Sequence, residues 1–163
     1  MKLTINTSFS ASTSSQSLFI LVDSENAKQA QETYKINDLS SIIEDTQFKA
    51  SLNETLPLIG KLTQVTQCTL VGIDKASEIK AAKLAKIAQT IIKASQKKFQ
   101  KISIDISALP SELHYLFALN LTQAAYAYDE FKSKKNEFTL ENIEFIATQS
   151  SLSAEQITLI EAV

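Results

Sequence analysis

Residues 69–106 read TLVGIDKASEIKAAKLAKIAQTIIKASQKKFQKISIDI. The stretch opens with the largely apolar segment 69–73, which is typical of a strand buried on both faces. Across residues 77–99, apolar residues recur at the spacing of one helix face, which predicts an amphipathic helix. Isoleucines then alternate with polar residues over 102–106, which predicts a strand with its polar face towards solvent. Strand, helix and strand in this order predict a βαβ unit.

The predicted helix 77–99 has an apolar side and a basic side. The apolar side consists of Ala81, Leu84, Ala85, Ala88, Ile91, Ile92, Ser95 and Phe99. The basic side consists of Lys80, Lys83, Lys86, Lys93 and Lys97, bordered by Lys75, Lys98 and Lys101. Such a stripe can contact the phosphates of a nucleic acid. Because no aromatic residue is interleaved with the lysines, and because exposed helix faces carry lysine for solubility, we expect a solvated face.

The flanking segments continue the alternation of strands and helices. Upstream, residues 18–22 form another apolar run, and a short strand is predicted around residues 3–5. Downstream, a helix is predicted to open at Pro110, followed by a strand over residues 143–147. The chain therefore predicts one α/β domain: a three-layer sandwich in which helices cover both faces of a mixed, mostly parallel sheet.

Weaker signals predict three further features. Asp38 is a candidate N-cap of a short helix. A strand within residues 56–62 belongs at a sheet edge, because Pro57 cannot donate to the ladder. Ser153 and Gln156 have the spacing of a capping box, and we expect the helix that they open to run to the end of the sequence.

Composition excludes several classes of site. The chain has 163 residues, 44% of them hydrophobic, and a formal net charge of −2, so no overall field favours nucleic acid or an anionic membrane. All of its 16 basic residues are lysine, which excludes bidentate arginine clamps. Glycine occurs only at Gly60 and Gly72, which excludes the glycine-rich loops that cradle nucleotide phosphates.

The sequence also predicts a cytoplasmic protein that does not enter a membrane. The longest apolar run, residues 18–22, is far too short to cross a bilayer, and the amino terminus lacks the apolar core of a signal peptide. A lone cysteine, Cys68, forms no intrachain disulfide and no metal motif.

No set of residues in the sequence predicts a catalytic, cofactor-binding or metal-binding site. His114 and Cys68 are the only residues of their types and are expected to be structural. The acidic pairs Glu44-Asp45 and Asp129-Glu130 point about 100° apart on a helix, so they are expected to face solvent, and the acidic residues generally are expected at scattered solvent-facing positions.

Two segments carry a resemblance to a known family. Residues 124–135, AAYAYDEFKSKK, are similar to the aromatic and lysine-rich end of a helix in the N-terminal domain of leucyl (cytosol) aminopeptidases. Residues 70–75, LVGIDK, resemble the end of a strand that precedes an alanine-rich helix in that domain. The resemblance covers most of residues 66–163. Asp74 departs from it, standing where the family usually has glycine, and so does Leu119-Asn120, which stands where the family usually has Glu-Gly.

The resemblance implies a fold and a parent protein. It implies a macro-domain-like fold for residues 1–150 and places the start of a connecting helix at 151–163, leading to an absent C-terminal catalytic domain. That catalytic domain would hold two divalent metals, zinc or manganese, and would remove N-terminal amino acids from peptides. The parent would be a homo-hexamer, with the N-terminal domain contributing to assembly and to active-site access. No ligand of the family's metals can be assigned to a residue of this chain.

Two alternative functions stay open at this stage. One is a stand-alone macro-like module that binds ADP-ribose or a related nucleotide, against which the lack of a glycine-rich loop argues. The other is a module that binds DNA through the basic side of the helix, although we expect no nucleic-acid partner.

Overall fold

The computed structural model describes residues 2–7, 16–25, 27–60, 65, 67–95, 98–131, 140–147 and 153–161. Its strands are β1 (Lys2–Asn6), β2 (Ser17–Val22), β3 (Thr55–Pro57), β4 (Gln67–Gly72), β5 (Lys101–Asp105) and β6 (Asn142–Ile146). Its α-helices are α1 (Ala30–Thr33), α2 (Leu39–Thr46), α3 (Ala81–Ser95), α4 (His114–Phe131) and α5 (Ala154–Glu161). Short 3₁₀ turns precede α1, α3 and α4.

The strands form one mixed sheet in the order β1-β6-β5-β2-β4-β3. All neighbours are parallel except β3, which pairs antiparallel with β4 at the edge. Pro57 ends that short edge strand, where a missing N–H is tolerated. The sequence-based prediction of a mostly parallel sheet covered by helices is confirmed.

The chain leaves the centre of the sheet in two opposite directions. After β2 it passes through α1 and α2 towards β4, whereas after β5 it passes through α4 towards β6. Crossover connections between parallel strands are almost always right-handed. Two right-handed crossovers that run in opposite directions across the sheet therefore place their helices on opposite faces. The two helical layers follow directly from this divergence.

Each layer has its own core. On one face, α3, α4 and α5 pack on side chains such as Phe19, Ile104 and Phe145, and Ile160 of α5 is buried there. On the other face, α1 and α2 cover the half of the sheet formed by β2, β4 and β3. All six residues of β2 are buried, which agrees with its continuous apolar sequence.

The polar face of β5 departs from prediction. Ser103 and Asp105 were expected to face solvent, but both are buried, as is Glu144 on the neighbouring strand β6. Alternation of side chains correctly gave the strand and placed its isoleucines on one face, because the period of 2 is local. It could not show that the polar face is itself covered.

The long helix is shorter than predicted. Ile79 adopts an extended conformation, which separates the 3₁₀ turn Ala76–Glu78 from α3 and excludes a continuous helix from residue 77. The helix ends at Ser95, although Phe99 beyond it is still buried. Ile87 is fully buried while Ala81 is exposed, which shifts the buried face slightly from the predicted one.

The predicted helix caps have different outcomes. Ser153 and Gln156 form the capping box: each backbone N–H donates to the side-chain oxygen of the other residue, at 3.0 and 3.1 Å. Asp38 does precede α2, but its φ is 63° and its side chain makes no capping hydrogen bond.

Gly72 allows a very close approach between β4 and the loop before β3. A Cβ at this position would lie 2.2 Å from the carbonyl oxygen of Ser51 and 2.4 Å from the carbonyl carbon of Ala50. The amide of nearby Asp74 donates to the Ala50 carbonyl at 2.9 Å, and Asp74 has a left-handed φ of 62°. Glycine adopts that conformation most easily, and aspartate tolerates it, which gives a backbone reason for the family's preference at this position.

We predict that Gly72→Ala lowers the free energy of unfolding by about 3 kcal/mol, because the methyl group meets backbone atoms that cannot rotate away. Urea unfolding followed by circular dichroism measures the loss. Gly60→Ala is the control: unlike Gly72, Gly60 has a positive φ, 74°, and a Cβ added there would meet nothing within 4 Å. The control substitution should lower the free energy of unfolding by only about 1 kcal/mol, because alanine is less stable than glycine in the left-handed conformation. Equal losses for both variants would contradict the steric explanation.

Candidate functional site

A cavity of about 470 Å³ lies at the carboxyl ends of β2, β5 and β6. The adjacent strands β2 and β5 send their crossovers in opposite directions, so the ends of this pair form a topological switch point. Crevices at such points are the usual ligand sites of open α/β sheets. The fold therefore indicates this edge as the candidate functional site.

The cavity is lined by both apolar and polar residues. Its apolar lining is contributed by Ile20, Leu21, Val22, Ala30, Ala108 and Ile146. Its polar lining is contributed by Thr7, Asp23, Gln29, Thr33, Tyr34, Asp105 and Ser107. The described lining contains carboxylates, hydroxyls and an amide but no lysine, so its charge is negative.

Asp105 is the buried anion of the cavity. It ends β5 and is 7% exposed. The hydroxyl of Tyr34, on the turn after α1, donates to its Oδ2, and the backbone N–H of Ser107 donates to its Oδ1 at 2.9 Å. Burial raises the pKa of Tyr34 far above its ordinary value, and the charge and hydrogen bond of Asp105 raise it further. The phenol therefore remains a donor throughout the neutral range.

A second buried carboxylate lies beside the first on the same sheet face. Glu144 of β6 is 2% exposed and pairs in register with Ser103, two residues before Asp105. The hydroxyl of Ser103 donates to its Oε1 at 2.8 Å, and the side-chain amide of Asn6 donates to its Oε2. Glu144 also contributes to the raised pKa of Tyr34, so both carboxylates act on the same phenol.

Neither carboxylate has a cationic partner among the described residues. Their side-chain hydrogen bonds come only from neutral groups: hydroxyls, an amide and a backbone N–H. The expectation that the acidic residues all face solvent is wrong for Asp105 and Glu144. Glu44 and Asp45, by contrast, are exposed as expected, while the side chains of Asp129 and Glu130 lie outside the described part of the chain.

His114 and Cys68 occupy different layers and do not meet. His114 is 1% exposed at the start of α4, and its Nε2–H donates to the carbonyls of Ile106 and Leu109, each at 3.1 Å. Burial lowers its pKa, partly offset by these carbonyls. Cys68 lies within the core beneath α1 and α2, where burial raises the pKa of its thiol to about 12. Both side chains are therefore buried, in separate parts of the core.

The lysines of α3 are exposed where the structure describes them. Lys83, Lys86 and Lys93 all point away from the core. Lys97, also assigned to this side, lies outside the described residues. The basic side of this helix therefore faces away from the core, and the absence of a partner for it remains a prediction.

The described residues do not offer the donor set of a metal centre. No group of three or more His, Cys, Asp or Glu among them is arranged to hold an ion. Within the same residues, no helix combines the length and apolar character needed to span a bilayer.

Sequence reasoning missed the cavity. Tyr34 and Asp105 are separated by 71 positions, and Asn6 and Glu144 by 138, so no local spacing relates them. The usable signal was the position of Asp105 at the carboxyl end of a predicted parallel strand, because strand ends of this kind meet along one edge.

A mostly parallel sheet between two helical layers, with its candidate site at the carboxyl edge, defines a three-layer α/β domain. The same fold occurs in a solved tomato leucine aminopeptidase variant, with a TM-score of 0.74 and 15% identity over 99% of this chain and 35% of that one. It also occurs in the bottromycin maturation enzyme BotP, solved in complex with Mn, with a TM-score of 0.62 and 14% identity over 91% of this chain and 29% of that one. At these identities the likeness concerns the fold alone.

The sequence comparisons identify the family. Residues 19–135 match the model of the cytosol aminopeptidase family, N-terminal domain. A probable cytosol aminopeptidase of Acinetobacter baumannii (strain ATCC 17978) is 58% identical over all 163 residues, and one of Acinetobacter baylyi (strain ADP1) is 48% identical. The chain spans 34% of the length of each of these relatives. The chain belongs to the cytosol aminopeptidase family and corresponds to its N-terminal domain.

We predict that the buried His114 makes the domain less stable below neutral pH. Because its pKa is lowered from the ordinary value of 6.5, the unfolded chain takes up a proton below pH 6.5 that the folded chain does not. The contribution of His114 to the free energy of unfolding is therefore fully present above pH 6.5. It falls as the pH drops towards the pKa of His114 in the folded state, by up to about 1.4 kcal/mol per pH unit.

The measurement is urea unfolding at pH 7.5 and pH 5.5 for the wild type and His114→Gln. Glutamine keeps an N–H donor for the two carbonyls but does not titrate. The wild type should lose more stability between the two pH values than the variant does. Equal losses would show that His114 does not contribute to the pH dependence.

Proposed function

We propose that this chain is the non-catalytic N-terminal domain of a metal-dependent leucyl-type aminopeptidase, a cytoplasmic enzyme that removes N-terminal amino acids from peptides. The observation that carries the proposal is the match of the whole chain, at 58% identity, to one third of a probable cytosol aminopeptidase. The chain spans only 34% of that relative, which supports a catalytic centre in another part of the protein.

We infer that residues 1–150 form the domain and that residues 151–163 start the connection to a C-terminal catalytic domain. The helix α5 opens at the capping box of Ser153 and packs on the sheet through Ile160. It also accepts the backbone N–H of Leu3 through the carboxylate of Glu161, at 2.7 Å. A connecting helix anchored in this way would fix the direction in which the chain enters its catalytic domain.

In the complete enzyme this domain contributes to the assembly of a homo-hexamer and shapes access to active sites that contain two zinc or manganese ions. Peptides are hydrolysed in the catalytic domain, where the metals would polarise the peptide carbonyl and activate a water. A nucleotide-binding function is less well supported, since the described cavity lining is negatively charged and would repel phosphate.

The test is a chimera. The 163-residue chain is fused to the C-terminal two thirds of the Acinetobacter baumannii relative, replacing the segment to which it is 58% identical. With Mn²⁺ or Zn²⁺, the chimera should hydrolyse leucine 4-nitroanilide, whereas the 163-residue chain alone should not. Sedimentation should show a hexamer for the chimera and a monomer or weakly associated species for the chain alone.

Two results would contradict the proposal. Hydrolysis by the 163-residue chain alone would place a catalytic centre within it. A gene that stops directly after codon 163 would remove the catalytic domain and leave a stand-alone binding module as the better account.

A further inference from the structure

The cavity combines room for a small molecule with a buried negative charge that has no positive partner among the described residues. Its volume of about 470 Å³ is in the range of ligand sites in proteins. Asp105 is 7% exposed and accepts hydrogen bonds from the neutral Tyr34 hydroxyl and Ser107 amide. A carboxylate has about four acceptor positions, so Asp105 keeps two for a ligand.

Burial makes an uncompensated carboxylate costly, and Glu144 adds a second one on the same sheet face. A bound cation would remove much of this cost, because an opposite charge stabilises a buried ion far more than it does in water. Phosphates and carboxylic acids are disfavoured by the same charges. The face of the sheet that carries Asp105 and Glu144 thus selects positively charged ligands.

The residues that line the cavity favour an organic cation over a metal ion. A metal ion needs several converging oxygen or nitrogen ligands, and the described residues contain no such group. An ammonium group needs only a few acceptors for its three N–H donors. The apolar walls formed by Ile20, Val22 and Ile146 leave space for a hydrocarbon tail.

We propose that this cavity binds a small organic cation with a primary ammonium group and an apolar tail, and that the ammonium group contacts Asp105. Tyr34 is a positioning residue, since its hydroxyl holds the carboxylate at the edge of the cavity. Ile20, Val22 and Ile146 contact the tail. Such binding is separate from peptide hydrolysis and requires no residue of a catalytic domain.

Three probes of similar size and different charge test the selectivity: 2-phenylethylammonium, 2-phenylethanol and 3-phenylpropanoate. Each is titrated into the 163-residue chain at pH 7, and binding is followed by amide-resolved NMR. The ammonium probe should bind with a Kd on the order of 1 mM, as expected for a ligand of this size. It should shift the amides of Ser107 and Ala108 and those of residues 29–34.

The alcohol should bind at least about tenfold more weakly than the ammonium probe, because it makes no charge-assisted hydrogen bond of comparable strength. The carboxylate probe should bind more weakly still, because the charge of the cavity repels it.

Asp105→Asn should weaken binding of the ammonium probe by about tenfold. The matched control is Asp45→Asn, which removes an exposed carboxylate of α2 and should leave binding unchanged. The comparison of the three probes uses the wild type, so it remains decisive if Asp105→Asn does not fold.

Equal binding of the ammonium probe and the alcohol would overturn the proposal, because the cavity would then recognise only apolar surface. No binding of the ammonium probe, or shifts confined to residues away from the cavity, would overturn it as well. These results are independent of the chimera's peptidase activity, so the two proposals can fail separately.

Discussion

The architecture depends on the parallel pairing of β2 with β5. These two strands lie side by side at the centre of the sheet, and the chain leaves them in opposite directions. One crossover places α1 and α2 on one face, and the other places α4 on the opposite face. The same divergence leaves a crevice between the strand ends, which the cavity occupies. The two helical layers and the candidate site therefore both follow from the opposite directions in which the chain leaves β2 and β5.

The local parts of this fold are readable from the sequence, and the non-local parts are not. Isoleucines at every second position of 102–106 give β5, and the Ser153 capping box gives the start of α5, because each signal lies within a few residues. The contact of Tyr34 with Asp105 joins distant segments, and the burial of Ser103 depends on what covers the sheet. The residues of the candidate site are close together in the fold but have no regular spacing in the sequence. Sequence patterns therefore do not reveal the site.

The scarcity of glycine also limits what sequence patterns reveal. With glycine at two positions, the left-handed backbone conformations are also adopted by Lys35, Asp38, Gln47, Ala50, Asn53 and Asp74. Such conformations cost an L-residue roughly 1–2 kcal/mol unless the surroundings compensate. At Asp74 the compensation is visible, since its N–H and carbonyl both form hydrogen bonds, with Ala50 and Ser24. Aspartate before a helix usually signals a cap, whereas Asp38 here adopts a turn conformation.

The pairing of β1 with β6 has a consequence for how the chain folds. The first strand joins the last one, with Leu3 opposite Ile143, and α5 then binds the amide of Leu3. Pairing between such distant segments requires closing a long loop, so we expect it to form late in folding. During synthesis β1 is made well before β6, so it must wait for the intervening residues before its partner exists. The strands β2, β4 and β5 are closer in sequence and can assemble earlier, so we expect β1 and β6 to complete the sheet afterwards.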